Sequence, residues 1–188
     1  MYVHEDADRG TNIKEKRKKK RKYFREADIF KPLDDENLEM LMSESSHWFY
    51  GRGEHIVKQS ESGDSVYLIL EGSAGVYVEI PGKKEPVIVG HLSSGDFFGE
   101  KSLLTGEPRG ASVKAESDIE VAEIEKRDIA PILEATPGIA EALSKRLAER
   151  QLINEGFFED AQQNQDVEEA RENYSQQFLQ GIQSFFGL

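Results

Sequence analysis

Cysteine is absent from this 188-residue chain, so no disulfide framework exists and a reducing compartment is the simplest fit. Long apolar runs are missing as well. The longest, Val66-Tyr67-Leu68-Ile69-Leu70, falls far short of the roughly 20 residues that span a bilayer, and no signal-peptide pattern is visible. A cytoplasmic location is therefore expected. His4, His47, His55 and His91 are scattered without metal-ligand spacing, and neither a Gly-x-Ser-x-Gly elbow nor a Walker-type Gly-Lys-Ser/Thr run occurs. With no catalytic set and no metal site, the chain reads as a binder and not an enzyme, with no cofactor. Its length allows one real core, a single domain with helical extensions.

Charge is present but unevenly placed. Residues 1–25 hold ten Lys and Arg against four Asp and Glu, while the remainder holds 14 basic against 32 acidic residues, a balance of +6 against −18. An acidic domain is a poor general partner for nucleic acid, whose binding rests on neutralising phosphates. Residues 1–27 therefore read as a basic lead-in. Met1 to Gly10 shows no sustained periodicity, with only Tyr2-Val3-His4 hinting at an extended piece. Lys14 to Arg25 suits a helix by propensity, although like charges four apart oppose it in isolation. Contact with anionic lipid, contact with nucleic acid and a solvated linker helix all remain open for it.

Residues 28–156 carry the domain pattern. Asp34 can cap a helix beginning near Asp35 that aligns Leu38, Leu41 and Met42 on one face. Between Glu54 and Glu125 a period of two is broken by turns, giving strands at 55–57, 65–70, 75–80, 86–92, 111–115 and 119–124. Many short strands with regular turns mean a sandwich or barrel. A helical period then returns, with Asp128 at or near one cap, Pro137 at a second helix start, and a stripe of Ile139, Ala142, Leu143, Leu147 and Ile153. Residues 157–188 are a polar, Gln-rich linker and an amphipathic helix carrying Val167, Tyr174, Phe178, Ile182 and Phe185. That stripe suits docking on the same chain or self-association. A membrane-interface role is weak without Lys or Arg on the polar face.

The most informative stretch is Phe97 to Val113, which reads Phe-Phe-Gly-Glu-Lys-Ser-Leu-Leu-Thr-Gly-Glu-Pro-Arg-Gly-Ala-Ser-Val. Gly99 permits close backbone approach, and the turn after it can start a short helix whose free N–H groups favour an anion. Arg109 can grip two phosphate oxygens, and Glu100 can accept from a ribose hydroxyl. A sugar phosphate satisfies both. The bland alternative is a surface ion pair between Glu100 and Arg109 beside a turn.

This run resembles the phosphate-binding cassette of the cyclic-nucleotide-binding domain family, with Gly53-Glu54, Gly63-Asp64, Tyr67, Leu70 and Gly72 extending the likeness upstream. The resemblance implies an α+β fold: an antiparallel β-roll of double-stranded β-helix or jelly-roll type with flanking N- and C-terminal helices. It implies a site made of Phe98, Gly99, Glu100, Lys101, Ser102, Arg109, Gly110, Ala111 and Ser112. In it Glu100 would take the ribose 2′-hydroxyl, Arg109 would pair with the cyclic phosphate, and the N–H groups of Ser102 and Gly110 would complete the cradle. Val78 and Leu92 fall where the family sandwiches the purine, and Arg150 and Ile153 where a lid helix touches the base. Lys101 departs from the usual aliphatic residue. Gly110 lacks the hydroxyl that some cyclic-GMP-selective members carry, which tilts the expected ligand toward cyclic AMP, with cyclic GMP as the alternative.

The acidic, Gln-rich residues after 156 do not suit a recognition helix, and one domain does not make a typical kinase regulatory subunit. The basic lead-in followed by Phe30-Lys31-Pro32-Leu33, and the Phe185-Phe186-Gly187-Leu188 ending, resemble bacterial channels that join a small-conductance mechanosensitive pore to a nucleotide-binding domain. The expected partner is then an attached channel pore, at the cytoplasmic face of the inner membrane, and the chain a soluble fragment. The competing expectation is a free-standing adaptor with a vestigial pocket that docks a partner through its last helix.

Overall fold

The computed structural model describes residues 5–155 and 165–188. Helix α1 (Glu5–Glu26) is continuous despite its like charges, and it includes part of the segment expected to lack periodicity. Tertiary contacts offset the repulsion. Phe24 is fully buried and stacks on Phe30 with ring centroids 5.4 Å apart, Arg21 meets Glu39 at 2.5 Å, and Arg25 pairs with Asp35. The proposed extended piece at Tyr2-Val3-His4 lies outside the described residues.

A 3₁₀ turn (Asp28–Phe30) leads into α2 (Asp35–Glu44). Asp34 caps it by accepting from the Asn37 N–H at 2.8 Å, and Leu38, Leu41 and Met42 are buried, as the spacing required.

Eight strands follow: β1 (Ser46–Tyr50), β2 (His55–Val57), β3 (Ser65–Glu71), β4 (Ser73–Val78), β5 (Val87–Ser93), β6 (Phe97–Phe98), β7 (Ser112–Ala115) and β8 (Ile119–Glu125). They form two four-stranded antiparallel sheets, ordered β1-β8-β3-β6 and β2-β7-β4-β5, with helices before, between and after them. This is the expected α+β roll. Strand β3 is buried on both faces because it separates two cores. Val66, Leu68 and Leu70 face the helices, among them Leu38, Ile129 and Leu143. Tyr67 and Ile69 face the second sheet, with Val113 and Ala74. That double burial is why residues 66–70 are the longest apolar run in the chain.

Two strands were not expected. β1 lies at a sheet edge with Phe49 73% exposed, so its burial does not alternate, and β6 is too short to show a period. Strand β4 starts and ends two residues earlier than its pattern suggested.

Short helix α3 (Glu100–Thr105) joins β6 to β7. Helix α4 (Lys126–Ala135) has Glu125 at its cap and Asp128 near it, as expected: Asp128 is the third residue of a reciprocal capping box and accepts from the Glu125 N–H at 2.8 Å. Helix α5 (Pro137–Asn154) has Pro137 in its first turn, as expected.

Helix α6 (Gln165–Phe186) packs on α5 and on α3. Its stripe residues Val167, Phe178 and Ile182 are buried against the same chain, so the face considered for self-association is covered. No described helix is long and apolar enough to cross a membrane.

Candidate functional site

Helix α3 is bracketed by two glycines in the left-handed region, Gly99 at φ 90° and Gly106 at φ 72°. Both are needed on steric grounds. A β-carbon on Gly99 would stand 2.9 Å from the Ser65 carbonyl oxygen and collide with the Arg109 guanidinium, and one on Gly106 would meet the Phe185 ring at 2.5 Å. The helix starts at Glu100, so the N–H groups of Glu100, Lys101 and Ser102 have no carbonyl four residues back. Buried Leu103 and Leu104 anchor it to the core.

Arg109 leaves the chain just before β7 and is only 6% exposed. Its Nη1 donates to the Ser65 carbonyl at 2.6 Å and the Gly99 carbonyl at 3.2 Å, and its Nη2 donates to Ser65 Oγ at 2.9 Å. The guanidinium also sits 5.6 Å from the Tyr67 ring centroid. Burial pulls the Arg109 pKa down, and Tyr67, Glu123, Asp64 and Glu100 oppose that shift. The group is thus a fixed, desolvated cation. Tyr67 holds it from below: its hydroxyl donates to Glu123 at 2.7 Å, its ring stacks on Phe98 at 5.2 Å, and burial raises its pKa well above the ordinary value.

Glu100 and Arg109 do not form the surface ion pair that was the bland alternative. Glu100 pairs with Arg150 of α5, Nε to Oε1 at 3.0 Å. Arg150 also donates to the Phe97 carbonyl at 3.2 Å and lies 4.3 Å above the Phe97 ring. Three interactions therefore fasten α5 to the cassette. Lys101, the departure from the usual pattern, turns to Glu107 at 2.8 Å and lies 5.8 Å from the Phe178 ring.

These elements enclose a cavity of about 570 Å³. Phe98, Gly99, Glu100, Lys101, Ser102, Arg109, Gly110, Ala111, Leu92 and Arg150 all line it, so most of the expected set is brought together. Three expected residues are not in that lining. Val78 is absent from the lining; Val76, two residues earlier on the same face of β4, stands there together with Val89, the residue of β5 left unpaired where the β4–β5 register slips. Ser112 is buried with its Oγ accepting from the Gln59 N–H at 2.9 Å. Ile153 is 55% exposed and borders a neighbouring cavity between α5 and the 3₁₀ turn; on α5 it is Leu147, Gln151 and Asn154 that join Arg150.

Among the lining residues that were not expected, Phe178 comes from the tail helix, an element to which no part of the site was assigned. Its place in the apolar stripe showed that it is buried but not against what. The arrangement offers a buried cation and helix-start N–H groups for a phosphate, a carboxylate for hydroxyls, and an apolar wall from Val76, Val89 and Leu92 for a planar ring.

A sequence profile of the cyclic nucleotide-binding domain matches residues 47–136. Over 120 residues the chain is 34% identical to the cAMP-activated global transcriptional regulator CRP of Pasteurella multocida, which covers 63% of this chain and 57% of that one. Over 161 residues it is 26% identical to the cGMP-dependent protein kinase egl-4 of Caenorhabditis elegans, which covers 85% of this chain and 20% of the kinase. The chain thus spans little more than half of the first relative and a fifth of the second. The solved N-terminal domain of a transcriptional regulator from Streptomyces coelicolor A3(2) superposes with a TM-score of 0.60 at 26% identity, covering 69% of this chain and 91% of that one. The profile match ends before α5 and α6 begin.

Proposed function

Residues 47–136 belong to the cyclic nucleotide-binding domain family, and from that premise we propose that this chain is a regulatory module that binds a cyclic nucleotide in the α3 cavity and reports binding through α5. One observation carries the reading. The same cavity holds a buried guanidinium at Arg109, a carboxylate at Glu100 and an apolar wall at Val76, Val89 and Leu92. A cyclic phosphate on a ribose, joined to a purine, has the matching three parts. The hydrogen bonds from Arg109 to Ser65 and Gly99 use three of its five N–H donors, which leaves two for phosphate oxygens.

Cyclic AMP is the favoured ligand and cyclic GMP the alternative, because Gly110 lines the cavity without offering a hydroxyl to a guanine edge. The role is that of a sensor, with no bond made or broken. Ligand binds the arrangement in which α5 is drawn against the cassette, and the shift in α5 is the output. Arg150 makes that coupling physical, since it bonds the carboxylate assigned to the ribose.

The effector in this reading is a bacterial channel pore joined through the lead-in. Its support is α1, whose ion pairs to α2 make the lead-in continuous with the domain, and whose exposed Lys14, Lys16 and Lys18 suit anionic lipid at the inner face of a membrane. The adaptor reading is disfavoured by α6, whose apolar face is already occupied.

Calorimetric titration with cyclic AMP and then cyclic GMP, on the parent, Glu100→Ala and Arg109→Ala, tests the function. Saturable binding by the parent that is lost or weakened in both variants is expected. No binding of either nucleotide by folded parent overturns the sensor and leaves the adaptor.

A further inference from the structure

We propose that the C-terminal helix α6 is a working wall of the nucleotide cavity and the clamp that positions α3, with Phe178 the side chain that couples tail docking to ligand affinity. The proposal rests on the cyclic-nucleotide reading of the cavity and extends it to a helix outside the matched domain.

Three contacts place α6 on the cassette along its length. Phe178 lines the cavity, is 5% exposed and lies beside Lys101 in the first turn of α3. A β-carbon on Gly181 would meet Thr105, in the last turn of α3, at 3.2 Å. The Phe185 ring rests on Gly106, the residue that ends α3. The helix whose first N–H groups are assigned to the phosphate is therefore backed by α6 from one end to the other.

Independent tethers hold α6 in that position. Lys126 of α4 donates to the Phe185 carbonyl at 2.5 Å, and its ammonium lies 3.7 Å from the Phe185 ring centroid and 5.2 Å from that of Phe186. Tyr174 donates to the Glu155 carboxylate just past α5 at 2.7 Å. Those tethers lie away from the cavity lining, so docking and ligand contact can be perturbed separately.

The geometry of the α3 N–H groups decides how well they meet an anion. Fixing α3 before ligand arrives lowers the ordering cost of binding. Linkage then runs both ways: a ligand that prefers the docked tail must also tighten the docking. Phe178 is in this sense a positioning residue as well as a wall.

The test measures cyclic AMP affinity and amide hydrogen exchange of residues 167–186 in the full chain, for the parent, Phe178→Ala, Phe178→Leu and Lys126→Met. Phe178→Ala is expected to weaken cyclic AMP by about 5- to 150-fold, the usual range of coupling between linked elements. Phe178→Leu, which keeps apolar volume, is expected to recover much of that loss. Lys126→Met, which touches no part of the cavity lining, should weaken binding in proportion to the faster exchange it causes in α6. In the parent, saturating cyclic AMP should slow exchange in α6. Unchanged affinity in Phe178→Ala, or tail exchange indifferent to ligand, overturns the proposal while leaving the sensor intact. A folded parent that binds no cyclic nucleotide overturns the sensor first and this inference with it.

Discussion

Arg150 and Glu100, fifty residues apart in the chain, meet at 3.0 Å and tie the helix after the roll to the first residue of the cassette helix. The Glu100 side chain is only 13% exposed, whereas that of Arg150 is 35% exposed. The pair is therefore partly screened, and its contribution is smaller than that of a buried contact. Its position gives it leverage, because a ligand hydroxyl on Glu100 would share the same carboxylate. Arg150→Ala is expected to weaken cyclic AMP binding several-fold and to speed hydrogen exchange in α5 of the ligand-free chain. Equal affinity in parent and variant would show that α5 senses ligand by another contact.

Arg109 should give the largest single effect. Its three hydrogen bonds satisfy Ser65 and Gly99 as well as fixing the guanidinium. On the proposed binding mode its removal would delete charge-assisted bonds to a phosphate, each about 1.5–3 kcal/mol, and would leave buried acceptors that cost about 1–3 kcal/mol when unpaired. Arg109→Ala is therefore expected to lose ten- to a hundredfold or more in affinity, in the range those bond strengths imply at about 1.4 kcal/mol per tenfold, and to melt several degrees lower. Arg109→Lys should remain weak, since a point charge cannot reproduce the fork. A titration in which Arg109→Ala matches the parent would place the phosphate elsewhere.

The cassette was legible in the sequence because its chemistry is local. Gly99, Glu100 and Arg109 lie within a dozen residues, and the glycine and helix-start requirements act on the backbone itself. The Asp34 cap and the Pro137 start were legible for the same reason. What could not be read depends on distant partners. Helix α1 is held by Phe24 against Phe30 and by ion pairs to α2, which a local charge count turns into a prediction of instability. Val76 and Val78 share one face of β4, so alternation cannot choose between them, and Val89 joins the lining as the residue left unpaired by a slip between two strands. Phe178 reaches the site by a fold-back of the tail that its own stripe does not encode.

Gly110 gives a clean specificity test. A β-carbon there would meet nothing within 4 Å, and its φ is not in the left-handed region, so a larger residue fits without strain. Gly110→Thr is expected to fold with a stability change within about 0.5 kcal/mol and to place a hydroxyl in the cavity lining. Competition titrations should then show the ratio of cyclic GMP to cyclic AMP affinity rising. A ratio that does not move would mean that the base does not reach this side of the cavity.

Tyr67 predicts how the fold responds to alkali. Burial, first, and then its bond to Glu123 raise its pKa, with Ser65 and Arg109 working in the other direction. A tyrosine whose folded pKa lies above the unfolded value, about 10, binds its proton more tightly in the native state. Its contribution to stability is fully present below pH 10 and is lost as pH climbs from there through the folded pKa. Melting temperature should therefore fall steeply above about pH 10. In Tyr67→Phe the chain should start less stable, having lost the hydroxyl's bond to Glu123, but the alkaline slope should flatten. Parallel melts of the two proteins from pH 8 to 11.5 decide the matter: identical slopes would mean that another group, such as Tyr50, whose pKa is also raised by burial, governs the alkaline limit.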